Sequence, residues 1–104
     1  MTGELVEVRL TPRAEADLED IWRHGAVEWS PEQADRYIDG LVAVFDLLRS
    51  MSRIAREHTE FTPPVRIHPT GPHLVIYRIA VPHLEILRIV GGRQDWQKLL
   101  EVLD

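Results

Sequence analysis

Two long stretches in the first half of the chain place apolar residues at three- and four-residue steps, the spacing of an amphipathic helix. Each stretch opens on a capping residue followed by proline, Thr11-Pro12 and Ser30-Pro31, which is typical of a helix start. The pattern predicts helix α1 over Pro12 to Glu28 and helix α2 over Pro31 to Ser50. Because only one or two residues separate them, the helices are expected to form an antiparallel hairpin.

Shorter apolar or alternating runs flank this hairpin and predict strands. Residues 52–64 show no period and contain Thr62-Pro63-Pro64, so an extended loop is expected there. The runs that predict strands are 5–10, 65–68, 73–81 and 84–90, and 95–102 reads as a short helix or tail. The order β-α-α-β-β-β predicts an α+β fold, a helical hairpin packed on a small antiparallel sheet, in a single domain over residues 1–104.

Composition excludes several classes of protein. The chain has 104 residues, 44% of them hydrophobic, which suits one globular domain. Cysteine is absent, so disulfides, thiolate metal sites and thiol nucleophiles are excluded. The five histidines lack metal-ligand spacing, and neither a metal nor a cofactor is expected. No apolar run reaches the roughly 18–20 residues of a membrane span, and no secretory pattern opens the chain. A cytoplasmic protein without membrane contact is expected.

Charge is divided unevenly along the chain. The net charge is −5, but residues 1–50 carry 11 acids and 5 bases (−6), whereas residues 53–93 carry 3 acids and 6 arginines (+3). Arginine suits bidentate pairing with carboxylate or phosphate, so the second half is a candidate surface for an acidic partner. The alternative is charge balance among solvated side chains.

The three tryptophans differ in their predicted roles. Trp22 and Trp29 lie seven residues apart on the apolar face of α1 and are expected to anchor the core. Trp96 follows Gly91-Gly92 in the terminal segment, where it either packs on the core or contacts a target.

The chain resembles the ParE toxins of the ParE/RelE superfamily. Leu10 to Ile21 is similar to the family's "L-x-P-x-A-x-x-D-L-x-x-I" entry into its first helix. Further similar stretches follow in the family's order at 29–37, 53–57, 63–67, 73–79, 85–89 and 93–96. Two departures stand out. No proline ends α2 at Met51 or Ser52, and Arg88-Ile89-Val90-Gly91 lacks a histidine that relatives carry near this glycine.

The resemblance implies a toxin of a type II toxin–antitoxin system that inhibits DNA gyrase, blocks replication and catalyses no reaction itself. It also implies a ParD-like antitoxin with a DNA-binding N-terminal dimer and a disordered tail, so that the toxin meets DNA only through its antitoxin. The predicted antitoxin-binding residues are Arg53, Arg56, Arg66, Tyr77 and Arg78. The predicted target-binding residues are Arg93, Asp95, Trp96 and Leu99.

The alternative from the same superfamily is a RelE-like ribosome-dependent mRNA endonuclease. Cleavage through the 2′-hydroxyl needs cations for the phosphate and groups that move protons. Arg56, Arg66, Arg78 and Arg88 are the candidate cations, and Tyr77, His58, His68 and His73 the candidate proton-transfer groups. A third hypothesis is an inert structural partner in a toxin–antitoxin complex, which would leave growth normal when the chain is expressed alone.

The register of the last hairpin bears on the nuclease hypothesis. An even number of unpaired residues in its connection lets Arg78 oppose Glu85 and puts Arg88 on the other face, which indicates a structural ion pair. An odd number puts Arg78 and Arg88 on one face as a basic surface.

Overall fold

The computed structural model describes residues 5–100, and the side chains of residues 5–98. Its elements, in chain order, are β1 (Glu7–Leu10), α1 (Pro12–Glu28), α2 (Pro31–Ser50), β2 (Glu57–His58), β3 (Val65–Thr70), β4 (His73–Ala80), β5 (His83–Gly91) and α3 (Trp96–Leu100). The two long helices have the predicted bounds, and the α+β fold is confirmed.

Side-chain caps start both long helices. Thr11 Oγ1 accepts a hydrogen bond from Ala14 N at 3.0 Å, and Ser30 Oγ accepts one from Gln33 N at 3.1 Å. These bonds satisfy backbone donors that have no partner inside the helix. Thr11 also donates to the carbonyl of Leu87 at 2.8 Å, which fixes the start of α1 against β5. Without a proline to end it, α2 stops at Ser50.

The five strands form one sheet in the order β1-β5-β4-β3-β2. β1 runs parallel to β5, whereas the other neighbours are antiparallel, so the expectation of a wholly antiparallel sheet was wrong in this detail. The chain leaves β1 through two helices and three strands before β5 lies beside it, and this long connection permits parallel pairing. The predicted loop over 52–64 contains the two-residue β2, which is too short to show alternation in the sequence.

The connection between β4 and β5 leaves two residues, Val81 and Pro82, unpaired, and Arg78 therefore opposes Glu85. Further along, the register shifts. Tyr77 pairs with Ile86 but Ile76 pairs with Arg88, so Leu87 is an extra residue of a β-bulge. Because of the bulge, the number of unpaired residues in the connection no longer determines on which face of the sheet Arg88 lies.

The sheet has apolar residues on both faces. The face under the helices holds the larger core, in which Leu41 and Leu48 of α2 meet Tyr77, Leu84 and Ile86 of the sheet. We call the opposite face the outer face. Its smaller cluster consists of Val65, Ile76, Leu87 and Val90, with Phe61, Ile67, Leu74 and Trp96 packed around it.

The expectation that both helical tryptophans anchor the core was wrong for Trp29, which is 61% exposed. Trp22 is half-buried, and its Nε1 donates to Asp35 Oδ1 at 2.7 Å, which joins α1 to α2. Gly25 explains part of this arrangement. A Cβ there would lie 3.3 Å from Ala34 Cβ and 3.5 Å from Trp29 Cε3, so the helices meet at small residues rather than at the indole.

Among residues 5–100, no helix combines the length and apolar character that crossing a membrane requires.

Candidate functional site

Arg88, a candidate phosphate-binding cation of the nuclease hypothesis, forms a structural ion pair with Asp17. Its Nε lies 2.8 Å from Asp17 Oδ2 and its Nη2 lies 3.0 Å from Asp17 Oδ1. Asp17 also accepts a hydrogen bond from Ile89 N at 2.9 Å. Both side chains are nearly buried, 12% and 13% exposed, and the bond to Asp17 raises the pKa of Arg88 above its ordinary value. The pair fastens α1 to the bulged part of β5.

Arg78 also has an acidic partner. Its Nε lies 2.6 Å from Glu85 Oε1 across the β4–β5 pair, with the two side chains 37% and 31% exposed. Since Tyr77 faces the helices, its neighbour Arg78 lies on the outer face. Arg66 stands directly opposite Tyr77 and therefore shares the helix side. Arg78 and Arg66, both predicted to bind the antitoxin, therefore lie on opposite faces of the sheet, because strand alternation separates them.

Tyr77 corrects another expectation, because it is fully buried and offers no contact surface. Its hydroxyl donates to the carbonyl of Ser52 at 2.8 Å, and burial raises the pKa of the phenol. Tyr77 therefore holds the segment after α2 against the sheet. It does not present a proton-transfer group to an external substrate.

The segment after α2 forms a surface with both apolar and basic groups. Met51 and Ile54 are 50% and 51% exposed, and Arg53 and Arg56 are exposed beside them. Arg66 Nη1 donates to the carbonyl of Ala55 at 2.5 Å and supports the segment from β3. We call this surface, residues 51–56 with Arg66, the 51–56 patch. It brings together three of the predicted antitoxin-binding arginines.

The terminal segment divides between exposed charges and packed apolar surface. Arg93 and Asp95 are exposed, whereas Trp96 packs on the outer face with its ring centroid 5.9 Å from those of His58 and Phe61. Asp95 Oδ1 accepts a bond of 3.4 Å from Lys98 N in α3. The side chain of Leu99 lies outside the described residues.

A cavity of about 540 Å³ lies beside the turn between α1 and α2, and the sequence did not predict it. Within it, the Tyr37 hydroxyl lies 2.6 Å from His73 Nδ1. Burial raises the pKa of Tyr37, and burial together with nearby His24 lowers the pKa of His73. The exposed ring of Trp29 lines one wall. Only the position of Tyr37 on the apolar face of α2 pointed to this place, because nothing in the sequence pairs it with His73.

Of the candidate nuclease groups, Arg56 and Arg66 meet at the 51–56 patch, whereas Arg88 is held by Asp17, Arg78 is held by Glu85, and Tyr77 is buried. Of the histidines, His58 Nδ1 lies 3.2 Å from Glu60 Oε2, and His73 contacts Tyr37. Within the described part of the chain, no group of three or more His, Asp or Glu side chains could hold a metal ion.

A hairpin of helices on a five-stranded mixed sheet, with a basic and apolar patch after the second helix, defines a class of small α+β protein. The family described as "ParE toxin of type II toxin-antitoxin system, parDE" matches residues 8–96. The chain therefore belongs to the ParE toxin family, and it is the toxin of a type II toxin–antitoxin system.

Individual relatives agree. The chain is 33% identical over 82 residues to Toxin ParE1 of Caulobacter vibrioides, covering 79% of this chain and 84% of that protein. It is 31% identical over 87 residues to Toxin ParE1 of Mycobacterium tuberculosis, covering 83% and 89%. A solved structure titled "Chromosomal ParDE TA system from P. aeruginosa" superposes with a TM-score of 0.70 at 25% identity, covering 84% of this chain and 96% of that one.

Proposed function

We propose that this toxin inhibits DNA gyrase by binding it and is neutralised by a ParD-like antitoxin. The observation that carries the proposal is membership of the ParE family in a chain whose candidate nuclease groups do not converge. A ribonuclease needs cations and proton-transfer groups around one phosphate. Arg78 and Arg88 instead neutralise carboxylates, and Tyr77 bonds to a backbone carbonyl. Inhibition by binding requires an accessible surface but no convergent catalytic groups.

The decisive experiment adds the purified chain to gyrase and relaxed plasmid, and measures both supercoiling and trapped DNA cleavage. Loss of supercoiling with accumulation of cleaved plasmid at micromolar toxin is the expected result. A matched reaction with topoisomerase I controls for general effects on DNA. No effect on gyrase, together with codon-position cleavage of mRNA in a translation extract, would contradict the proposal and favour the RelE-like endonuclease.

For the target-binding surface we propose the terminal segment. Arg93 and Asp95 are exposed beside the packed Trp96, so a partner can reach their side chains while the indole holds the segment against the sheet. Arg93→Ala is expected to weaken gyrase inhibition and leave antitoxin binding unchanged. Arg36→Ala, at an exposed position on α2, is the control. Equal inhibition by the Arg93 variant and the wild type would move the target surface elsewhere.

For the antitoxin we propose the 51–56 patch. An amphipathic segment of the antitoxin would lay apolar side chains on Met51 and Ile54 and place carboxylates against Arg53, Arg56 and Arg66. The exposed guanidinium of Arg56 would lose water on binding. Arg66 also supports the Ala55 carbonyl, so its removal reshapes the patch.

Calorimetry with a ParD-like antitoxin tests this surface. Arg56→Ala and Arg66→Ala are each expected to weaken binding at least tenfold, or about 1.4 kcal/mol. Arg36→Ala is expected to bind like the wild type, and circular dichroism checks that each variant is folded. Wild-type affinity in both patch variants would place the antitoxin on another surface.

A further inference from the structure

The strand β1 forms one end of the sheet, and its outer edge has no strand partner within residues 5–100. Such an edge presents unpaired backbone N–H and C=O groups, which can pair with another chain. Glu7 and Arg9 stand on the outer face with side chains 50% and 59% exposed. Val8 and Leu10 pack toward the helices. The edge thus carries one acid and one base, two residues apart, and within the chain Arg9 Nε lies 3.6 Å from Glu7 Oε2 in an exposed ion pair that a second strand would have to exchange for a pair across the edge.

Opposite charges alternate across the strands in the row that ends at Arg9. Arg9 is the register partner of Glu85 on β5, and Glu85 is in turn the partner of Arg78 on β4. In the neighbouring row Glu7 is the partner of His83, and its Oε1 lies 3.7 Å from His83 Nδ1. The first row reaches the open edge with a cation and the second with a carboxylate. A further strand would continue both rows if it set an acid beside Arg9 and a base beside Glu7.

We propose that β1 of a second copy of this chain is that strand, paired antiparallel about a two-fold axis at Val8. In this register Glu7 of each copy lies directly opposite Arg9 of the other, and symmetry makes the contact twice. An axis at Glu7 or at Arg9 would instead set like charges directly opposite each other, which is destabilising. The charges therefore select one register, and the two sheets join into one.

The apolar side of β1 fits the same register. Val6, which is 71% exposed, would lie opposite Leu10 of the other copy. Leu10 and Val6 of the same copy both line a groove of about 370 Å³ between β1 and α2, where Val42 is 51% exposed. Since directly opposed residues share a face, Val6 of each copy would cover the groove of the other. This surface is separate from the 51–56 patch, and the proposal does not depend on gyrase or on the antitoxin.

Sedimentation equilibrium of the full-length chain tests the proposal. The wild type is expected to be a dimer. Arg9→Glu leaves two acids on the edge and Glu7→Arg leaves two bases, so each variant repels its own copies. We expect the dissociation constant of the dimer to rise at least tenfold in each. An equimolar mixture of the two variants restores both opposite pairs, and it is expected to form a heterodimer.

Arg36→Glu makes the same change of net charge as Arg9→Glu, at an exposed position of α2, and is expected to remain a dimer. Recovery in the mixture also shows that the two edge variants are folded. Three results would each overturn the proposal. They are a wild type that stays monomeric up to about 1 mM, edge variants that dimerise as the wild type does, and a mixture of folded variants that fails to associate. If the chain is monomeric and still binds antitoxin, the charges on β1 protect the sheet edge from pairing with another chain.

Discussion

The two faces of the sheet are built differently although the same strands supply both. Toward the helices, Tyr77, Leu84 and Ile86 are fully buried under two long helices that cover the face. On the outer face, the described residues that cover the apolar cluster around Val65 and Ile76 are Phe61 of the loop before β3 and Trp96 of the terminal segment. The part of that face nearer β1 carries ion pairs instead. The helix face holds the larger core, while the outer face leaves charged side chains partly exposed.

The same contrast separates the two arginine–carboxylate pairs. The Arg88–Asp17 pair is nearly buried and makes three hydrogen bonds, counting Ile89 N. The Arg78–Glu85 pair on the outer face is about one-third exposed. Water screens the second pair and not the first, so the two are expected to differ in what they contribute to stability.

The largest expected effect therefore comes from breaking the buried pair. Asp17→Ala leaves Arg88 as an uncompensated, nearly buried charge and removes the acceptor of Ile89 N, which is expected to cost about 3–5 kcal/mol of unfolding free energy. Glu85→Ala is the matched change on the outer face and is expected to cost at most about 1 kcal/mol. Urea denaturation measures both. Equal losses would show that the two faces do not differ in this respect.

Truncating one leucine on each side of β5 compares the packing of the two faces. Leu84→Ala, under the helices, is expected to cost about 3–4 kcal/mol because close-packed neighbours relax little around the cavity. Leu87→Ala, at the bulge on the outer face, is expected to cost about 2 kcal/mol, since its thinner cover can collapse. Thermal and urea unfolding of both variants measures the difference. A larger loss for Leu87 than for Leu84 would reverse the comparison.

Trp96 tests how much of the outer face depends on the terminal segment. Trp96→Ala uncovers part of the outer cluster, and because the ring is only partly buried the expected cost is about 1–2 kcal/mol. Trp29→Ala removes an indole that is 61% exposed, and a change within about 0.5 kcal/mol is expected. The two variants are compared by urea denaturation. If Trp29 proved the more costly, its ring would be packing more than its exposure indicates.

The smallest effect concerns pH. Burial lowers the pKa of His73 in the folded chain, whereas the pKa of an unfolded histidine is about 6.5. The stability due to neutral His73 is therefore complete above that pH and is lost as the pH falls from there toward the lowered folded value. His73→Gln is expected to reduce this loss, and His24→Gln, at an exposed position, to change it less. Denaturation curves at pH 8 and at about pH 5.5 measure both. An unchanged loss in the His73 variant would contradict the assignment.

The sequence predicted which region of the chain holds much of the candidate site, but not how its side chains are placed in space. The charge shift after residue 50 pointed to the second half of the chain, and Arg53, Arg56 and Arg66 do meet at the 51–56 patch. The burial of Tyr77 was missed, because an aromatic residue in an apolar strand has the same local pattern whether its hydroxyl reaches water or a carbonyl. Trp29 was missed for the opposite reason, since helical periodicity assigns a face but not how far the partner element extends over it.

By itself the sequence determined the local elements of this protein. Caps, prolines and periodicity act over a few residues, so α1 and α2 have their predicted bounds, and the strands of the last hairpin lie where apolar runs predicted them. Tertiary structure alone decided the parallel pairing of β1 with β5, the bulge at Leu87, and the partner of each arginine. These depend on groups far apart in the chain, as Asp17 and Arg88 are. Only the folded backbone brings such groups within hydrogen-bond distance.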